Sequence, residues 1–272
     1  MSHARRTAGA AIDDASAQGR RALVIYLPVG YPDVDTSIEA ARTAVAAGAD
    51  IIELGLPYSD PGMDGPLVAA AAQQALDGGV RIADVMRAVE EVAATGAAVL
   101  VMTYYNPVLR YGVERFAREI AEAGGAGLIT PDLIPDEAGE WIAAADAHGL
   151  DKVFLVAPSS TSERLELTAH ASRGFVYAAS TMGVTGVRAA IGAHAEALVS
   201  RTRAAGAERV CVGIGVSDAQ QAAEVAGYAD GVIVGSAAVR ALGSAAGAEG
   251  LDALRTLVED LADGVRQGTV AS

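Results

Sequence analysis

The feature that most constrains this chain is a repeat of organisation rather than of residues: a short β-rich run followed by an Ala-rich amphipathic segment, eight times over. The runs are 22–30, 50–56, 97–104, 127–130, 152–157, 174–180, 209–215 and 230–236. Helical periodicity follows each of them, over about 35–47, 66–77 with 80–94, 113–123, 136–147, 159–171, 193–205, 217–227 and 250–263. No two runs are joined by a hairpin turn, so every strand must return by a crossover and the sheet must be parallel. The runs are almost uninterruptedly apolar, as strands are when helices cover them. Eight such units predict a closed (β/α)₈ TIM barrel, with an open doubly wound sheet as the structural alternative.

At 272 residues the chain has the length of one such barrel, and no Pro/Gly/Ser linker divides it. The expectation is one domain over 1–272, with a short N-terminal extension before the first strand. Hydrophobic residues make up 51% of the chain, enough for a continuous core. The net charge of −14 argues against a nucleic-acid partner, which calls for a basic stripe. It leaves an anionic substrate open, because backbone amides and a helix N-terminus hold phosphate locally. The single cysteine, Cys211, sits in an apolar strand and reads as a buried thiol. The N-terminus has no signal-peptide pattern and no run is long enough to span a bilayer, so a soluble cytoplasmic protein is expected.

Barrel chemistry sits at the C-terminal ends of the strands and in the loops that follow. Glu53 stands out there, because it interrupts IIELGL, where a carboxylate is costly unless paired or protonated. Burial that raises its pKa would fit it to exchange protons near neutrality. The loop that follows, SDPGMDGP, carries Asp60 and Asp64, and spacing does not separate the two. A phosphate end is marked by Gly213 and Gly215 at the end of the seventh strand and by Gly235-Ser236 at the end of the eighth, ahead of a short Ala-rich helix. Gly183 and Gly186 could add amides from the loop after strand six. The four histidines lie away from the expected mouth without metal-ligand spacing, and no GxGxxG or P-loop is present, so no metal or nucleotide cofactor is expected.

IIELGLPYSDPGMDGP, MTYYNPV, PDLIPDE, YAASTMGVTG, VGIGVS and DGVIVGSA, in that order, resemble the tryptophan synthase alpha subunit family from about Leu23 to the last helix. The resemblance implies a lyase that splits indole-3-glycerol phosphate into indole and D-glyceraldehyde 3-phosphate in the last steps of L-tryptophan biosynthesis. It implies Glu53 as the general acid/base and Asp64, rather than Asp60, as the carboxylate at the indole nitrogen. It further implies Leu23, Tyr104, Asp132 and Tyr177 at the indole end, Gly186, Gly215, Gly235 and Ser236 at the phosphate end, and Thr185 in a closing loop. It implies an α₂β₂ heterotetramer with the tryptophan synthase beta subunit, faced by the 57–62 loop and residues 106–111. Pyridoxal phosphate is expected only in that beta subunit, and no cofactor in this chain. Two positions depart from the family pattern: Gly62, where a larger apolar residue is common, and Thr181-Met182, where some members carry a basic and a small residue.

Overall fold

The computed structural model describes residues 5–179 and 188–268. Its strands are β1 (Ala22–Pro28), β2 (Ile51–Gly55), β3 (Ala98–Met102), β4 (Gly127–Ile129), β5 (Asp151–Val153), β6 (Leu155–Val156), β7 (Val176–Ala179), β8 (Val210–Gly213) and β9 (Gly231–Val234). All ladders among them are parallel, in the order β5-β4-β3-β2-β1-β9-β8-β7-β6. The two strands at the ends of that order are halves of one run, divided at Phe154. Thr130 N donates to Val153 O on one side, and Tyr177 N donates to Phe154 O on the other. The expected fifth strand is therefore split, and through it the sheet comes round into a (β/α)₈ barrel.

The helices are α1 (Ala8–Ala17), α2 (Val34–Ala46), α3 (Pro66–Asp77), α4 (Ile82–Ala93), α5 (Tyr105–Tyr111), α6 (Val113–Glu122), α7 (Gly139–Ala147), α8 (Ser162–Ala171), α9 (Arg188–Ala204), α10 (Ala219–Ala226), α11 (Ser236–Leu242) and α12 (Ala248–Gln267). Their starts follow local chemistry. Asp33, Thr161 and Asp218 accept from the amides of Thr36, Arg164 and Gln221, satisfying donors that have no partner within the helix. Pro66 opens α3, where its missing N–H costs nothing. No helix among the described residues is long and apolar enough to cross a membrane.

Strand alternation sorts the apolar runs into two cores. Leu23, Ile25, Leu27, Ile52, Leu54, Val99, Val101, Val210 and Val212 point outward into the layer shared with the helices. Ala22, Val24, Ile51, Ala98, Leu100, Cys211 and Ile233 point inward and pack together inside the barrel.

Besides the short α11 expected ahead of the last helix, two helices lie outside the eight expected units. Helix α1 occupies what the sequence presents as an extension: Ala8, Ala11, Ile12 and Ala15 pack on the inward cluster and close the barrel floor. Its start is fixed by Asp151, whose carboxylate accepts from Ala8 N at 2.8 Å, and its far side by Arg209, which grips both Asp13 oxygens at 2.7 Å. Helix α5 follows β3 directly at the opposite end.

Candidate active site

Glu53 lies in the middle of β2, between the inward-facing Ile51 and Gly55, and is 0% exposed. Neither of its carboxylate oxygens has a hydrogen-bond partner among the described residues. Burial alone raises its pKa from the usual 4.5 to about 8. A carboxyl in this setting keeps its proton at physiological pH and is suited to proton exchange near neutrality. The side chain opens onto a cavity of about 500 Å³ at the C-terminal end of the barrel, lined among others by Tyr26, Asp64, Met102, Leu155, Tyr177, Ile233 and Ser236.

Asp64 comes from the loop between β2 and α3, immediately ahead of the Gly65-Pro66 helix start. It is half-buried at the rim of the same cavity. Burial pushes its carboxyl upward, and a hydrogen bond from Tyr104 opposes that shift. The Tyr104 hydroxyl also accepts the Met63 amide at 2.8 Å, so a single phenol fixes both the backbone and the side chain of this stretch. Tyr58 packs on Tyr104 with ring centroids 5.2 Å apart, and Asn106 Nδ2 donates to the Tyr58 hydroxyl at 3.2 Å. Asp60, by contrast, is exposed and accepts from Ser59 Oγ at 2.6 Å. The geometry separates the two aspartates that spacing left equivalent.

Across the cavity lie Gly213 at the end of β8, Ile214 and Gly215 after it, and Gly235-Ser236 after β9. Gly215 has φ +80°, a conformation that a side chain would strain. Ser236 is the first residue of α11, and the helix's opening bond runs from Val239 N to Gly235 O at 3.0 Å. Amides of that first turn have no partner within the helix and lie at its positive end, which suits an anion. Among the described residues, no three His, Cys, Asp or Glu side chains gather where a metal ion would be held.

Of the residues expected from sequence, Glu53, Asp64, Tyr177, Gly215, Gly235 and Ser236 meet in this one cavity. Tyr104 stands one step behind it and acts on Asp64. Asp132 is not among the lining residues; its carboxylate oxygens accept from Tyr105 N at 2.9 and 3.2 Å and so anchor the start of α5. Leu23 does not reach the cavity either, since it lies early in β1 with its side chain in the outward core. The residue of β1 that faces the cavity is Tyr26, three positions on and of opposite parity. Thr185, Gly186, Gly183 and Thr181-Met182 lie outside the described residues. Sequence reasoning missed Tyr26, Met102, Leu155 and Ile233. The parity that marks them is hidden wherever both faces of a strand are apolar.

Comparison with known proteins places this geometry. The sequence model for "Tryptophan synthase alpha chain" matches residues 12–266. The tryptophan synthase alpha chain of Mycobacterium avium is 62% identical over 253 residues, covering 93% of this chain and 92% of that protein. That of Nocardia farcinica is 59% identical over 258 residues, covering 95% of each. Among solved structures, tryptophan synthase from M. tuberculosis, in an open form with BRD0059 bound, superimposes with a TM-score of 0.88 at 55% identity, over 95% of this chain and 98% of the other. The tryptophan synthase subunit alpha of Legionella pneumophila gives 0.87 at 29% identity, over 97% and 99%.

Proposed function

This chain belongs to the tryptophan synthase alpha chain family, and from that premise we propose that Glu53 and Asp64 carry out its reaction. The reaction is a lyase step, the cleavage of indole-3-glycerol phosphate to indole and D-glyceraldehyde 3-phosphate. The observation that carries the assignment is the pair itself: a carboxyl held neutral inside the barrel, and a second carboxyl at the rim of the same cavity.

The steps follow from what each group can do. Glu53 gives its proton to C3 of the indole ring, and positive charge spreads to the ring nitrogen. Asp64, oriented by Tyr104, stands at N1–H and stabilises that cation more than it stabilises the neutral ground state. The bond between C3 and the glycerol carbon then breaks, its electrons restoring the aromatic ring. The hydroxyl on the departing carbon becomes the aldehyde, and its proton passes to the Glu53 carboxylate. Glu53 ends protonated, as it began. Tyr177 and the apolar walls Met102, Leu155 and Ile233 take the indole. The amides around Gly215, Gly235 and Ser236 take the phosphate, with Gly186 and Thr185 assigned to the same end and to closure.

In this family pyridoxal phosphate sits in the beta subunit, and we assign this chain no cofactor of its own. A beta-subunit partner, in an α₂β₂ heterotetramer, fits the apolar rim at the ends of β2, β3 and β4, where Met63, Leu109 and Ile134 are 53, 50 and 38% exposed. The test of the catalytic assignment is indole release from indole-3-glycerol phosphate by Glu53→Gln, which is expected to abolish cleavage in a folded protein. Parent-level cleavage by that variant refutes it. The test of the partner is the same assay with and without the beta subunit, where faster cleavage in the complex is the expected result.

A further inference from the structure

On the strand face that carries Glu53, the next side-chain place toward the cavity mouth belongs to Gly55, two residues on. That place is filled, though not by β2. A Cβ built on Gly55 would fall on the hydroxyl and ring of Tyr26, which reaches across from β1. Tyr26 is the direct register partner of Glu53, both line the cavity, and the Tyr26 hydroxyl lies over Gly55. The phenol thus fills the side-chain place that follows Glu53 on the inward face of β2, within the same cavity.

We propose that Tyr26 is a positioning residue for Glu53: seated over Gly55, its hydroxyl donates a hydrogen bond to the Glu53 carboxylate that forms when the proton leaves for substrate. The inference rests on the assignment of Glu53 as the acid. Its physical need is plain, because the fully buried carboxyl has no partner among the described residues and its anion would form without one. The groups facing this pair are the Asp64 carboxyl from the loop after β2, the Tyr104 hydroxyl from the end of β3, the Tyr177 hydroxyl on β7 and the buried Cys211 thiol on β8. None of these neighbours is cationic. A neutral donor is therefore what this cavity has to offer a new negative charge. Tyr26 suits the task because burial and the nearby Asp64 and Glu53 charges hold its own proton firmly.

Tyr26→Phe removes one oxygen and keeps the ring, so the fold and the cavity wall are retained. A lost hydrogen bond to an ionised group corresponds to about tenfold in kcat and about one pH unit in the acidity of Glu53. The expected result is about tenfold lower kcat for cleavage, with KM within about twofold, and an alkaline limb of the kcat profile moved up by about one unit. Carboxyl-carbon NMR of Glu53 should titrate higher by the same amount. Gly55→Ala, which evicts the phenol without altering either partner, should reproduce the shift and raise KM as well. Parent kcat and parent pH profile in Tyr26→Phe overturn the proposal. So does a lower kcat with an unmoved profile and an unmoved Glu53 titration, which would mean that the hydroxyl acts through packing alone. Glu53→Gln run alongside separates the two readings: if it cleaves at the parent rate, the assignment of Glu53 itself has failed.

Discussion

Glu53→Gln should make the protein more stable while stopping its chemistry, and the stabilisation should depend on pH in a way fixed by burial. In the native chain the carboxyl titrates at about 8, and in the unfolded chain near its ordinary 4.5. Below 4.5 both states hold the proton and Glu53 contributes no pH dependence. Between those values the unfolded state has released its proton and the native state has not, so stability falls as pH rises, by about 1.4 kcal/mol per pH unit. The loss attributable to Glu53 is about 3 kcal/mol at pH 7 and approaches about 5 kcal/mol above pH 8. Glutamine has nearly the shape of the protonated acid, leaves its polar atoms equally unpaired, and does not titrate. The variant should therefore match the parent near pH 4.5 and exceed it by a margin that widens toward pH 8. Urea unfolding of both proteins at pH 5 and pH 8 measures this, because every carboxylate common to the two cancels in the difference. A stability difference that is the same at both pH values would show that the native carboxyl is not held neutral, and the argument for Glu53 as a stored proton would fall with it.

Other consequences are open to measurement. Asp64→Asn should lower kcat for indole release by about a hundredfold or more with little change in unfolding free energy, since it removes charge stabilisation from a loop rather than contacts from a core. Tyr104→Phe breaks the link to both Met63 N and Asp64, and should cost about 1 kcal/mol in chemical denaturation together with a fall in kcat. Asp151→Ala leaves the buried Ala8 amide without its acceptor; a loss of about 1–2 kcal/mol and faster proteolysis within residues 8–17 are expected, with the kinetics of cleavage unchanged.

Much of the architecture was legible in the sequence because its signals are local. Alternating strand and helix periods announce parallel βα units, and Ser217-Asp218 mark the start of α10, which Asp218 caps. The carboxylate in IIELGL and the glycines that end the last two strand runs stand where a barrel puts its chemistry, and these residues meet in one cavity. What the sequence left hidden was the direction of side chains. Leu23 and Tyr26 belong to the same apolar run, and nothing along β1 tells which parity faces inward when helices make the outer face as apolar as the inner one. Helix α1 escaped notice for a related reason: its Ala-rich stretch carries little contrast between faces, and its purpose is visible only once there is a barrel floor to cover.

The sequence by itself determined the number of βα units, the parallel sense of the sheet and the presence of a carboxylate that a strand should not tolerate. Each follows from propensity and period within about a dozen residues. Only the tertiary structure decided that this carboxylate is neutral and that Tyr26 fills the empty place over Gly55. Those outcomes depend on which side chains from distant strands exclude water from a shared space. Exclusion of water is a property of the closed barrel, and no segment of it carries that property alone.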